Sequence, residues 1–150
     1  MRRSSLRSVS GPIVLAVLLG LAGCGGQGED ATSASPAAFG SKPKVKPSDF
    51  PIPKKLVVKD VWVGSGPAVK PGDEIEIQFV DLNLVRHTRF ESEWKGDGAV
   101  WRLGEEELSK GFERGIVGMR VGGRREILFP SRLGYGTGPM VYVLDLLAIR

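Results

Sequence analysis

The sequence predicts a small α+β domain in which one short helix covers one face of an antiparallel sheet. Two patterns predict this class: several short apolar or alternating segments, and a single stretch with helical periodicity. The 21 glycines and 10 prolines indicate many turns, which favours short strands over long helices. A chain of 150 residues has room for one such domain with tails.

The strand candidates are bounded by turn residues. The clearest is residues 74–80, where Ile75, Ile77 and Phe79 share one face and the polar side chains share the other. The first candidate is β-branched and aromatic and ends at a Gly-Ser-Gly-Pro turn. In chain order the candidates are residues 56–63, 74–80, 99–103, 124–130 and 140–149.

One helix is predicted, over residues 105–116. Leu108, Phe112 and Ile116 recur at a spacing of four, which places them on one face. Three glutamates open the segment at 105–107. They could form a metal or acid–base cluster, but favourable charge at a helix N-terminus is the interpretation we prefer.

Composition excludes several classes of function. Arg2, Arg3 and Arg7 carry the positive excess, and removing residues 1–23 lowers the formal charge from +4 to +1. A nearly neutral chain is unsuited to nucleic acid, which requires a basic surface. A single cysteine and a single histidine, His87, exclude a Cys/His metal site, and we expect His87 at the surface. A phosphate loop requires a strand, then a glycine-rich loop with Lys-Ser or Lys-Thr, then a helix. The sequence does not contain this order, which excludes a phosphate loop.

The N-terminus has the three parts of a signal peptide over residues 1–23. A basic start is followed by an apolar segment, Ile13 to Ala22, which is about half the roughly 20 residues that span a bilayer. Residues 21–24, Leu-Ala-Gly-Cys, resemble the lipobox of bacterial lipoproteins. The resemblance implies cleavage after Gly23, lipid on Cys24 and anchoring at the extracytoplasmic face of the cell membrane. The alternative is a secreted chain with an incidental cysteine.

Residues 24–55 are predicted to be a flexible tether. They are rich in Gly, Ser, Ala, Pro and Lys, and such segments bury too little apolar surface to offset the entropy of ordering. Phe50 and Ile52 are candidates for docking on the edge of the domain. The folded domain is expected to cover residues 56–150.

The order of the pieces resembles the FKBP-type peptidyl-prolyl cis-trans isomerases. Residues 110–125 carry the most specific part, a helix followed by a Gly-Met-x-x-Gly-Gly turn and a basic strand start. Residues 64–73, 103–104 and 133–136 match further motifs in the same order, and the resemblance covers residues 56–150. It implies a twisted antiparallel sheet wrapped around one short helix and a monomeric prolyl isomerase without cofactor or metal. Its expected partners are proline-containing or unfolded exported chains.

The resemblance also implies the site residues. Tyr135 matches the hydroxyl that bonds the substrate carbonyl, and Glu91 stands where the family usually has aspartate. Four aromatic residues also match the family's pocket, and for these plain core packing is an equal alternative: Phe79, Phe90, Phe112 and Tyr142. The residues expected to contact substrate are Phe79, Phe90, Leu108, Ser109, Phe112 and Tyr142.

Several departures from the family pattern keep two functions open. Phe112 replaces a tryptophan, Ala99 a wall phenylalanine and Ser109 an isoleucine. Between Tyr135 and Tyr142 there is room for little more than a hairpin turn, where the family usually has a long flap. The first hypothesis is an isomerase that assists the folding of exported proteins. The second is an FKBP-like module that binds peptides with little or no turnover.

Overall fold

The fold is a six-stranded antiparallel sheet packed against one helix, which confirms the predicted α+β class. A computed structural model describes residues 38–94, 96–106 and 108–150. The strand order is β1-β5-β6-β2-β3, and β4 pairs with β2 beside that path. The elements are β1 (Val57–Trp62), β2 (Glu74–Asn83), β3 (Thr88–Glu93), β4 (Ala99–Arg102), α1 (Lys110–Ile116), β5 (Arg124–Phe129) and β6 (Met140–Ile149).

The two longest strands, β2 and β6, pair along their length at the centre of the sheet. On β2, Ile75, Ile77 and Phe79 are buried against α1, as their alternation predicts. On β6, every residue from Met140 to Leu146 is buried. A continuous buried run requires that both faces of the sheet be covered. The sheet therefore separates two apolar cores.

Helix α1 is shorter than predicted and begins at Lys110 rather than at residue 105. The oxygen of the Ser109 side chain accepts the N–H of Phe112 at 3.3 Å, so Ser109 is the N-cap. Phe112 and Ile116 face the sheet as expected, whereas the half-buried Leu108 precedes the helix.

Two glycines let α1 lie close to the sheet. A Cβ at Gly111 would approach the ring of Phe129 to 2.3 Å, and one at Gly115 would approach Ile127 to 2.2 Å. Real atoms do not approach this closely, so any larger residue would push the helix away from β5.

Strand β3 has no counterpart among the predicted strands, because its sequence, Thr-Arg-Phe-Glu-Ser-Glu, has no apolar alternation. It forms a hairpin with β2, and His87 lies exposed in the turn with a positive φ of 52°. Asp81 pairs with Glu91 while Leu82 pairs with Arg89, so the backbone of Phe90 is the extra residue of a bulge.

The second core lies on the face opposite α1, and part of the predicted tether covers it. Val45 and Phe50 pack against a buried cluster that includes Leu128 and Val141. Ile52, in contrast, is 56% exposed. Part of the segment expected to be tether therefore packs on the domain, because the outer face of the sheet is apolar and needs cover.

A buried ion pair fixes the beginning of this covering segment. The guanidinium of Arg124 donates to the carboxylate of Asp145 at 2.7 Å, and both side chains are buried. Arg124 also donates to the carbonyls of Ala38 and Ser41 at 3.0 and 2.7 Å. The same carboxylate accepts the N–H of Gly40 at 2.7 Å.

Two tryptophans enclose this ion pair. The guanidinium of Arg124 lies 4.5 Å from the ring centroid of Trp62 and 5.1 Å from that of Trp94. The indole N–H of Trp94 donates to the carbonyl of Gly40 at 2.9 Å. We call Trp62, Trp94, Arg124 and Asp145 the clasp.

The predicted signal peptide and Cys24 lie outside the described residues. Among residues 38–94, 96–106 and 108–150, no helix is long and apolar enough to cross a membrane.

Candidate active site

A hollow of about 430 Å³ opens on the helix side of the sheet. Its wall combines aromatic and aliphatic side chains with a few polar groups, which is typical of ligand pockets. The residues that line it come from β2, β3, β4, the segment before α1, α1 itself, the loop after β5 and β6: Asp81, Glu91, Val100, Trp101, Arg102, Glu105, Leu108, Ser109, Phe112, Tyr135 and Tyr142.

Aromatic rings form the floor of the hollow. Trp101 meets Phe112 edge-on, with ring centroids 5.2 Å apart and planes at 81°. Phe112 and Tyr142 are 5.1 Å apart, and both are almost wholly buried. Such tilted contacts between rings are favourable and resist rearrangement, so the floor is preformed.

Phe79 lies behind this floor. It is 1% exposed, and its ring centroid is 4.8 Å from Trp101 and 5.9 Å from Tyr142. It is not among the residues that line the hollow. Phe79 therefore supports the floor from the core.

Trp101 is a pocket residue that the sequence analysis missed. It pairs with Ile75 across the β2–β4 ladder, so its indole lies on the same face as the buried alternation of β2. The expected loss of an indole at position 112 is thus offset by an indole from the neighbouring strand.

The rim of the hollow carries the two predicted catalytic residues. Tyr135 is 53% exposed in the loop after β5, and it takes part in an interaction within the protein. Glu91 is exposed on β3. Leu108 and Ser109 line the hollow beside α1, and the Ser109 side chain is engaged as the helix cap. The backbone of Phe90 lies on β3 next to Glu91, while its side chain is outside the described atoms.

Asp81 is a second pocket residue that the sequence analysis missed. Its side chain is 1% exposed, accepts the N–H of Glu91 and shares a hydrogen bond with the Tyr142 hydroxyl. Burial raises the pKa of Asp81 to about 6, against these two hydrogen bonds. Burial and the nearby Asp81 charge also raise the pKa of the Tyr142 hydroxyl. The signal was present in the sequence, because Asp81 continues the dry face of Ile75, Ile77 and Phe79.

The charged groups at the mouth of the hollow are mostly paired. Arg102 lies 3.0 Å from Glu74 and 4.0 Å from Glu105, and all three are substantially exposed. Glu105 is therefore part of a surface ion pair. It does not lie in the first turn of the helix, where the sequence analysis expected it, because α1 begins at Lys110. Within the described ranges, no group of three or more His, Cys, Asp or Glu side chains is placed to hold a metal ion.

The loop before β6 is held against the sheet beside the hollow. The amide of Asn83 donates to the carbonyl of Thr137 at 3.1 Å, and the N–H of Gly138 donates to the Ser131 hydroxyl at 3.2 Å. The N–H of Leu84 donates to the carbonyl of Pro139 at 3.0 Å. Residues 136–141 do not line the hollow, which leaves its mouth open.

Comparison with known proteins gives one consistent answer. Residues 66–141 match the family model described as FKBP-type peptidyl-prolyl cis-trans isomerase. The chain is 32% identical over 123 residues to an FK506-binding protein of Streptomyces anulatus, covering 72% of this chain and 97% of that protein. A probable FK506-binding protein of Corynebacterium glutamicum is 32% identical over 117 residues, covering 71% of this chain and 98% of that protein.

A solved structure shares the fold. The crystal structure of FkpA from Escherichia coli aligns with a TM-score of 0.57 at 22% identity, covering 63% of this chain and 48% of that chain. This likeness concerns the backbone alone.

Proposed function

Since the chain belongs to the family of FKBP-type peptidyl-prolyl cis-trans isomerases, we propose that its aromatic hollow binds proline residues and isomerises the peptide bond before them. The observation that carries this proposal is a preformed floor of Trp101, Phe112 and Tyr142 with an exposed phenol, Tyr135, at its rim. The hollow is large enough for a five-membered ring.

The reaction requires neither a nucleophile nor a metal. Resonance gives the planar amide a rotational barrier of about 18–20 kcal/mol, and twisting the C–N bond removes that resonance. The twisted amide is less polar than the planar one. An apolar cup that holds the proline ring therefore favours the twisted state over the planar ground state.

Hydrogen-bond donors at the rim would act on the carbonyl before proline. Tyr135 is on a loop at the mouth, where its hydroxyl can reach a bound peptide. The backbone N–H of Ser109 is a second candidate, because its side-chain oxygen is occupied as the helix cap. Such donors accelerate rotation only where they bind the twisted carbonyl more strongly than the planar one.

We further propose that the isomerase acts at the cell envelope on exported, proline-containing chains. The support is the signal-peptide pattern and the Leu-Ala-Gly-Cys motif that ends at Cys24. Two or three acyl chains on one cysteine would hold the protein at the membrane surface. Replacing Cys24 by Ala should abolish incorporation of labelled palmitate and move the protein from the membrane fraction. Continued membrane association without label would contradict the lipid anchor.

A second candidate function is peptide binding with little turnover. It is favoured by the loop before β6, which Asn83 and Ser131 hold against the sheet and away from the hollow. An open mouth admits water, and water weakens the electrostatic contribution of the site.

The two candidates are separated by measuring cis-to-trans conversion of a proline peptide with the full chain in detergent. We expect a first-order rate that rises linearly with protein concentration above the spontaneous rate, which corresponds to tens of seconds. Binding of the same peptide without acceleration would favour the binding module. If the peptide is neither bound nor isomerised faster than in buffer, both candidate functions are contradicted.

A further inference from the structure

Asp81 occupies an unusual position for a carboxylate. It lies on the central strand β2, paired with Glu91 of β3 on one side and with Tyr142 of β6 on the other. Charged side chains are almost never fully buried unless they are paired. None of the ion pairs formed by the described residues includes Asp81.

The partners of Asp81 are instead two neutral donors at the hollow. One is the backbone N–H of Glu91, immediately after the bulge at Phe90. The other is the hydroxyl of Tyr142, whose ring belongs to the floor. A single carboxylate thus joins the rim strand β3 to the aromatic floor.

We propose that Asp81 is a positioning residue for isomerisation, whose ionised carboxylate fixes the Tyr142 hydroxyl and the β3 bulge beside the bound proline. The inference rests on the hollow being the site of isomerisation, as proposed above. An ionised carboxylate accepts both hydrogen bonds at once, and each is about twice as strong as its neutral counterpart. A protonated acid or an amide would hold the same two groups more loosely.

The titratable groups that act on Asp81 are Glu91 from β3, Tyr142 from β6 and, beyond Tyr142, Tyr135 from the loop after β5. Arg102 from β4 and Glu105 from the segment before α1 line the same hollow. Arg102 carries the positive charge of this set, and it is paired with Glu74 and Glu105. Because burial raises the pKa of Asp81 to about 6, protonation occurs within an accessible pH range. We therefore expect kcat/KM to fall as the pH drops through about 6.

The test is the variant Asp81→Asn, which keeps the shape and removes the charge. For the full chain in detergent, we expect kcat/KM for a neutral proline peptide to fall roughly tenfold at pH 7.5. We expect the inflection near pH 6 to disappear, while the free energy of unfolding at pH 7.5 is no lower than in the wild type. Asp97→Asn, an exposed aspartate away from the hollow, is the matched control and should leave rate and inflection unchanged.

Two further variants test which residue causes the inflection of kcat/KM near pH 6. Glu91→Gln should retain it, because Asp81 is still present. Tyr142→Phe removes a hydrogen bond that lowers the pKa of Asp81, so the inflection should move to higher pH. This second variant tests the proposal even where Asp81→Asn fails to fold.

Three results would overturn the inference. They are an unchanged rate in Asp81→Asn, an inflection that survives in it, or an unshifted inflection in Tyr142→Phe. Wild-type turnover combined with any of these would overturn this inference and leave the proposed function standing. Absence of wild-type turnover would overturn both.

Discussion

Two buried aspartates lie on the central strands, on opposite faces of the sheet, and they differ in how the charge of the carboxylate is compensated. Asp145 and Asp81 are both buried, at 0% and 1% exposure. In the clasp, Asp145 forms a two-pronged ion pair with Arg124 and also accepts a backbone N–H. At the hollow, Asp81 has hydrogen bonds to neutral groups only.

The difference separates a structural charge from a functional one. A buried ion pair with all its hydrogen bonds made is stable as a unit and holds a fixed geometry. A buried carboxylate without a counter-ion opposes folding in its ionised form, and such groups are concentrated at active sites. On this basis the clasp fixes residues 38–41 on the domain. Ionised Asp81 instead lowers the free energy of unfolding, which fits the role at the hollow that we propose for it.

The largest expected effect is loss of the clasp. Arg124→Ala leaves the Asp145 carboxylate buried without a counter-ion and should lower the free energy of unfolding by about 3–5 kcal/mol in urea titration. Lys59→Ala removes an exposed ion pair with Glu126 and should change it by less than about 1 kcal/mol. Equal effects of the two variants would contradict the structural role of the clasp.

The next effect concerns Asp81 and pH. Its pKa is raised from 3.8 to about 6, so folding favours the protonated form. The contribution of Asp81 to the free energy of unfolding is therefore fully present below about pH 4. It falls as the pH rises to about 6, by roughly 3 kcal/mol in total. Asp81→Asn should remove this slope from unfolding curves measured between pH 4 and 7. An unchanged slope would show that Asp81 is compensated as well as Asp145.

The smallest effect on stability belongs to the rim. Tyr135 is 53% exposed, and Tyr135→Phe should lower the isomerisation rate several-fold, equivalent to about 1 kcal/mol, with a nearly unchanged melting temperature. A large loss of melting temperature would instead make Tyr135 structural.

The sequence predicts the fold well because its signals are local. The alternation of residues 74–80 and the glycine-rich turn after α1 each determine an element without reference to the rest of the chain. Strand β3 is the exception, since its polar sequence becomes a strand only by pairing with β2.

The candidate site is predicted less completely, because its members meet across strands. Resemblance identifies Phe112, Tyr135 and Tyr142, which line the hollow. It does not identify Trp101 or Asp81, whose places depend on the registers of β4 and β2. The packing of residues 38–55 depends in the same way on Arg124, which is more than 80 positions away in sequence.

The three tryptophans can show whether proline peptides bind in the hollow, because Trp101 lies in the hollow while Trp62 and Trp94 lie in the clasp. The decisive measurement is the shift of their indole N–H resonances during titration of the ¹⁵N-labelled chain with a proline peptide. We expect the Trp101 resonance to move and saturate while the other two stay in place. A Trp101 resonance that does not respond to the peptide, or a larger response from the clasp, would contradict binding in the hollow.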